Sequence, residues 1–484
     1  MPATRDRIVP RMTEAIGVRP RPLDASAVGA LAARFGGEVL GPDDGGYDAG
    51  RKVWNARWDR HPALIVRPAR TADVVAAVRF AREQELPLAI RGGGHGAAGH
   101  GSIDDGLLID LAHLNAVSID GDAGLATVGG GALLSQLDQA AQALGLVCPV
   151  GVVGHTGVGG LTLGGGNGRL QRKLGMTIDN LRAVELVTAD GRVVRASEDE
   201  AADLFWAIRG AGANFGVVTR FELALQPFDG RLTRGFAMFD GRDARAAWAS
   251  FREFARSAAD EWSLTLAIAR ALPEDQHPPA VAGRPVVFIG FNHCGDPAAA
   301  EAGSEQLFGG AATISRNMAG ATYLDVQAMN DQAMGWGHRS HIRGALADDL
   351  ADETLAGIVE AVADATAEAS FGVQALGGAV GRIPPEATAY PGRSMAFGIS
   401  ADTMWEDPQE DATATAWVDG VMTIAERDAV PGRYVNEIGA GGSPELSRQI
   451  YAAAYDRLAA VKQAWDPENV FRMNHNVAPA GPRP

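Results

Sequence analysis

One histidine stands inside a run of glycines, Arg91-Gly92-Gly93-Gly94-His95-Gly96. Glycine admits backbone conformations and close approaches that a side chain forbids. Consecutive N–H groups in such a turn form a concave anion site, so an imidazole there would sit beside a phosphate-bearing molecule. The alternative is a glycine-rich surface turn with an incidental histidine. Two more glycine-rich stretches, residues 154–168 (GHTGVGGLTLGGGNG) and 210–216 (GAGANFG), favour the first reading. Three close-approach loops in one half of the chain imply a long ligand held by backbone. None has the strand, G-x-G-x-x-G and helix order with an acidic residue about 20 positions on, which excludes a nicotinamide dinucleotide site. His338 and His341 stand at H-x-x-H spacing, but no third ligand or clustered carboxylate accompanies them, and no metal site is expected.

The elements that must position these loops follow from periodicity. Residues 63–68 and 88–90 read as short strands, the second leading straight into the His95 loop. Thr71 is an N-cap candidate for a helix over 72–85. Strands are expected at 107–111 and 125–129, a helix at 135–144 with Leu144 facing inward, and a hairpin of 181–188 with 192–196 around Ala189-Asp190-Gly191. Residues 198–209 are helix-like and 216–225 alternate as a strand. Beyond residue 227 the pattern changes to strands (235–239, 264–268, 286–290) mixed with long alanine-rich helices (244–258, 352–369), without strict β-α-β alternation. That mixture predicts an α+β domain. Residues 444–461 read as a helix, and residues 1–22 as an irregular lead-in.

The chain has 484 residues, enough for about two or three domains. A formal charge of −16 argues against nucleic-acid partners and against docking on anionic membrane. No run of 18 apolar residues is present, and the N-terminus lacks the apolar core of a secretion signal. With only Cys148 and Cys294, no disulfide framework is possible, and a cytoplasmic location is expected. Both cysteines read as small buried apolar residues. The Ala, Gly and Arg bias suggests a GC-rich bacterial genome.

Seven ordered motifs then carry a resemblance. They are Arg91-Gly-Gly-Gly-His95, Gly101-Ser102, the 155–166 run, Asp203-Leu-Phe-Trp-Ala-Ile-Arg-Gly210, Asn214-Phe-Gly-Val-Val218, Tyr434-Val-Asn436, and residues 466–476 (DPENVFRMNHN). Over residues 45–225 and 430–477 the chain resembles the berberine bridge enzyme-like flavoproteins, a branch of the vanillyl-alcohol oxidase superfamily. The resemblance implies an α+β fold with a two-part FAD-binding domain of the p-cresol methylhydroxylase type. It implies a substrate domain with an antiparallel sheet covered by helices. The expected divisions are 1–227 for the first FAD-binding part, 228–430 for the substrate domain, and 431–484 for a C-terminal segment returning to the FAD domain.

By the same resemblance, His95 bonds covalently to the C8 methyl group of FAD. The cofactor is clasped by Arg91, Gly92, Gly93, Gly94, Gly96, Gly101 and Ser102, by His155, Thr156, Gly157, Gly160, Gly164 and Asn167, and by Asn214 and Gly216. Val217 would hold the adenine or ribose end, and Asn476 would line the flavin ring. His100 and His155 read as structural histidines, His155 contributing through its loop backbone. Relatives often carry a second tether on a cysteine. Cys148-Pro149 imitates that pattern, but anchoring on the downstream glycines puts the tether position at Val153, so a single covalent link is expected. Tyr434 is the candidate base, helped by Arg339, His341 or Arg433, or else a packing or positioning residue; His341 is a candidate substrate contact. Glu437 is either a second proton acceptor or a solvated charge. The implied activity is FAD-dependent oxidation of a small or medium alcohol, amine, sugar or natural product, with O2 as acceptor. The alternatives are a dehydrogenase using another acceptor and a flavin-binding protein without redox turnover.

Overall fold

The computed structural model describes residues 23–271, 281–365, 368–439 and 441–481. The expected lead-in at 1–22 lies outside them. Strands β1 (Glu38–Leu40), β2 (Leu64–Arg67), β3 (Leu88–Arg91) and β4 (Leu107–Asp110) form a four-stranded sheet in the order β1-β2-β4-β3. Here β4 runs parallel to β2 and β3, while β1 is antiparallel to β2. The helix Thr71–Glu83 buries Val74, Ala77, Val78 and Phe80 against this sheet. Thr71 does not cap it. Its hydroxyl donates to Glu185 Oε1 at 2.8 Å, and Asp73 instead accepts from the N–H groups of Ala69 and Gly36.

Next come β5 (Val117–Asp120), β6 (Leu125–Gly129), β7 (Leu146–Val147), β8 (Leu181–Val187), β9 (Val193–Ser197), β10 (Val217–Ala224) and β11 (Gln226–Pro227). Five of them form an antiparallel sheet, β5-β6-β10-β8-β9, with the expected hairpin joining β8 and β9. The helix Leu134–Gln142 ends before Leu144, which is 56% exposed, because Gly145 at φ +68° turns the chain away.

The third sheet has eight strands, β15-β12-β14-β13-β17-β18-β16-β19, all antiparallel. They are β12 (Arg231–Asp240), β13 (Trp262–Arg270), β14 (Pro285–His293), β15 (Thr313–Thr322), β16 (Arg339–Ala347), β17 (Ala369–Ala375), β18 (Phe397–Trp405) and β19 (Ala429–Val430). Helices Ala244–Ser257, Asp352–Ala363 and Asp411–Ala425 cover one face, burying Trp248, Phe251, Ile358 and Val418 against Phe371, Phe397 and Ile399. The expected 352–369 helix stops at Ala363, since Ala369 already belongs to β17. Side chains alternate across a strand, so the other face of β16, β17 and β18 is free to build a cavity.

The C-terminal segment folds back onto the first domain. Its helix breaks in two, Pro444–Tyr451 and Tyr455–Trp465, at Ala452 with φ +44°. Buried Lys462 donates to Asp466 Oδ2 (2.7 Å), the Asn214 carbonyl (2.6 Å) and the Phe471 carbonyl (2.9 Å). Asp466 accepts the Val470 and Phe471 N–H groups, and Asn214 Oδ1 accepts the Val477 N–H. These bonds fasten the 466–477 motif to the 214 loop.

Candidate active site

The glycine loops touch backbone to backbone. A Cβ on Gly93 would lie 2.2 Å from the Gly157 nitrogen, and one on Gly157 would lie 2.2 Å from the Gly93 nitrogen. Any side chain at either position would separate the two loops. Buried Arg91 anchors the first loop from behind: its guanidinium donates to Asp110 Oδ2 (2.7 Å) and the carbonyls of Lys52 (2.7 Å) and Gly50. Together these segments line one side of a cavity of about 550 Å³. Of the residues expected to clasp the cofactor, Arg91, Gly92, Gly93, Gly94, His95, Gly96, Gly101, Thr156, Gly157, Gly160, Gly164, Asn167 and Gly216 reach its wall.

Five do not. Ser102 is buried behind the loop, where its carbonyl accepts from Arg60. Asn214 clamps the C-terminal segment, as above. Val217 points into the core by strand alternation, leaving Gly216 and Val218 on the cavity. Asn476 stands off the wall, and Asn474 and His475 take that place. The His155 ring is also off the wall, but its Nδ1 lies 2.6 Å from His95 Nε2. The His155 ring thus meets His95 directly, in keeping with a hydrogen-bonded structural histidine.

His95 is held as a neutral imidazole. Burial, with a smaller contribution from His155, lowers its pKa to about 3. Its ring stacks on Trp54 at 5.1 Å, with Trp336 edge-on at 6.3 Å. Cys148 is 1% exposed inside the apolar core, and burial drives its thiol pKa far up. Val153 lines the cavity in its stead. Cys148 thus offers no thiolate to a cofactor.

The sheet wall carries the titratable groups. Ser340 and Ile342 of β16, Gln374 of β17, and Asp402 and Met404 of β18 face the cavity. His341 falls on the other face by alternation; its Nε2 lies 3.4 Å from Asp419 on the covering helix, so it is not placed to touch substrate. Tyr434 does line the cavity, but the cations expected to assist it are engaged elsewhere. Arg339 pairs with Asp411, and Arg433 with Glu426 and the Gly344 carbonyl. The Tyr434 hydroxyl oxygen instead accepts from the N–H groups of Gly166 and Asn167, both at 3.2 Å, and from Asn436 Nδ2 at 3.0 Å. Burial outweighs these donors and raises its pKa to about 12. Tyr434 is a protonated anchor at neutral pH.

Glu437 is not a solvated charge. It lines the cavity, and burial, then the charge of Asp402, raises its pKa to about 7. Burial likewise raises Asp402 to about 6, against an opposing hydrogen bond from Ser370 Oγ at 3.1 Å. Such a pair is poised for proton transfer near neutrality. Asp402 escaped the sequence reading, although the alternation of Phe397–Trp405 puts a carboxylate on the non-helical face mid-strand. His338 and His341 gather no third ligand; no cluster of three metal-binding side chains occurs among the described residues.

The cavity suits FAD. Two loops stripped of side chains leave room for a pyrophosphate against backbone N–H groups. The buried Asn474 Oδ1 and His475 Nδ1, on or beside the wall, have no hydrogen-bond partner among the described residues. Residues 62–197 match the FAD binding domain family, and residues 433–478 the berberine and berberine like family. The chain is 30% identical to (R)-6-hydroxynicotine oxidase of Paenarthrobacter nicotinovorans, over 92% of this chain and 97% of that one. The solved structure of 6-hydroxy-D-nicotine oxidase from Arthrobacter nicotinovorans superposes with a TM-score of 0.81 at 29% identity, over 92% of this chain and 98% of that one. Wild-type BBE-like 1 of Physcomitrella patens, at 23% identity, shares the fold with a TM-score of 0.85 over 94% of this chain and all of that one. Among the described residues no helix is long and apolar enough to cross a membrane. The glycine cradle, the histidine at its mouth and the matched relatives together make this chain a member of the berberine bridge enzyme-like family of FAD-linked oxidoreductases.

Proposed function

We propose that this protein is an oxidase that carries FAD on a single bond to His95 and takes a proton from its substrate with the Asp402–Glu437 pair. Bound FAD supplies the two-electron acceptor. The chain supplies position and proton transfer. The observation that carries the reading is the carboxylate pair on the same cavity as the glycine cradle, with Glu437 raised to about 7. Asp402, at about 6, ionises first; burial and the Asp402 charge hold Glu437 protonated up to about 7, and Glu437 once ionised accepts the proton of an O–H or N–H group. Tyr434 holds the 166–167 turn and Asn436 in place. The substrate is a small or medium alcohol, amine, sugar or natural product, with O2 as the returning oxidant. The division into 1–227, 228–430 and 431–484 is supported by the start of β12 at Arg231 and the end of β19 at Val430.

The test is a substrate panel assayed in air, with flavin absorbance and peroxide followed together. One peroxide per substrate consumed is expected. Bleaching without prompt recovery in air would point to a dehydrogenase with another acceptor, and no bleaching by any substrate to a flavin-binding protein.

A further inference from the structure

A bond from His95 to its cofactor requires a ring nitrogen with a free electron pair and a destination for the proton on the other nitrogen. Both are set by a chain of contacts that begins at a backbone carbonyl. His155 Nε2 lies 3.1 Å from the carbonyl oxygen of Asp331. A carbonyl oxygen can only accept, so this nitrogen carries the proton, and in a neutral imidazole the other nitrogen then presents its lone pair. His95 Nε2 stands 2.6 Å from that lone pair, at His155 Nδ1. Two lone pairs would repel at this distance, so His95 bears its proton on Nε2. Its Nδ1 is left unprotonated on a ring that lines the cavity. Trp54 and Trp336 fix the plane of that ring.

We propose that His155 is the positioning base of cofactor attachment: it holds His95 as the Nε2–H tautomer with Nδ1 as nucleophile, and it takes up the Nε2 proton as the Nδ1–carbon bond forms. This rests on the covalent reading of His95 given above. The bond that forms joins His95 Nδ1 to the carbon of the flavin C8 methyl group. The bonds that break are one C–H of that methyl group and the Nε2–H of His95. Both hydrogens leave as protons, and the two electrons end on dioxygen. FAD, the imidazole N–H and O2 thus yield the tethered cofactor and hydrogen peroxide. The surroundings favour this direction. A cation on His95 is disfavoured by burial, whereas His155 keeps its Nε2–H on the Asp331 carbonyl oxygen while its Nδ1 takes up the proton.

The experiment uses the full chain produced under riboflavin limitation, mixed with FAD in air. The readout is the denatured intact mass over time, which rises by one FAD less two hydrogens, beside a measurement of non-covalent FAD binding. His155→Phe, which has no acceptor, is expected to bind FAD and to tether it at least ~100-fold more slowly than the unaltered chain. His155→Gln keeps an acceptor oxygen and is expected to fall between them. Equal tethering rates in all three proteins would overturn the proposal. If phenylalanine costs FAD binding, His155→Ala with added imidazole replaces it: faster tethering with imidazole supports the relay, and no acceleration overturns it. An unaltered chain that never gains mass removes the covalent reading itself, an outcome distinct from normal tethering in the His155 variants.

Discussion

The glycine loops at 91–96 and 154–168 meet the cavity with backbone, whereas the sheet wall meets it with side chains drawn from β16, β17 and β18. The first surface is specified by what is missing. Gly93 and Gly157 approach so closely that a methyl group on either would overlap the other loop. The second is specified by which face of a strand a residue occupies. His341 and Ser340 are neighbours in sequence, yet one pairs with Asp419 on the covering helix and the other lines the cavity. A site of this kind divides its labour: the backbone wall serves a constant cofactor, and the sheet wall can change with the substrate without disturbing the cradle.

The sharpest way to break this comparison is His95→Ala. Denatured variant should carry no flavin, while the unaltered chain stays yellow after acid precipitation; colour retained on the variant would reveal another tether. Next in size is Glu437→Gln, expected to lower kcat/KM by about 10²–10⁴-fold. Glu437 must be ionised to accept a proton, so in the unaltered enzyme kcat/KM should climb as pH rises and level off above about 7. The variant should lack that limb. The stability sign is the reverse. The folded value lies above the ordinary 4.5, so Glu437 costs stability as pH rises from there through about 7, and the glutamine variant should melt higher than the parent at pH 8.

Lys462→Met sharpens the role of the C-terminal strap. It leaves Asp466 buried without its cation, at a cost of about 3–5 kcal/mol in unfolding by denaturant, with FAD retention weakened because the 214 loop is released. Tyr434→Phe separates anchor from base. An anchor loses no more than about 10-fold in kcat, whereas a loss at or beyond the Glu437→Gln value would return the base role to tyrosine. His341→Ala should change kcat/KM by less than about 3-fold, with its effect confined to stability, since its ring faces away from the cavity.

Much of the cradle was legible because its determinants are local. Runs such as Arg91–Gly96 and Gly154–Gly168 constrain their own backbone, and the strand Leu88–Arg91 delivers one of them directly. Glu437 was visible but ambiguous, since a charge directly after the Tyr434-Val435-Asn436 motif reads equally as solvent-facing until its burial is known. Asp402 was overlooked because a lone aspartate in an apolar strand has no local partner; its partner Glu437 is supplied by a segment beyond the next helix. His155 was assigned to the loop backbone because nothing in the sequence says that its ring turns toward a histidine 60 positions earlier.

Residue types and local order thus determined the cofactor class and the histidine beside the cradle, since glycine, imidazole and spacing act over a few residues. Tertiary structure alone decided which carboxylates share the cavity, which nitrogen of His95 faces His155, and that His341 is turned away. Those outcomes depend on strand register and burial, and both are set by contacts between segments far apart in the chain.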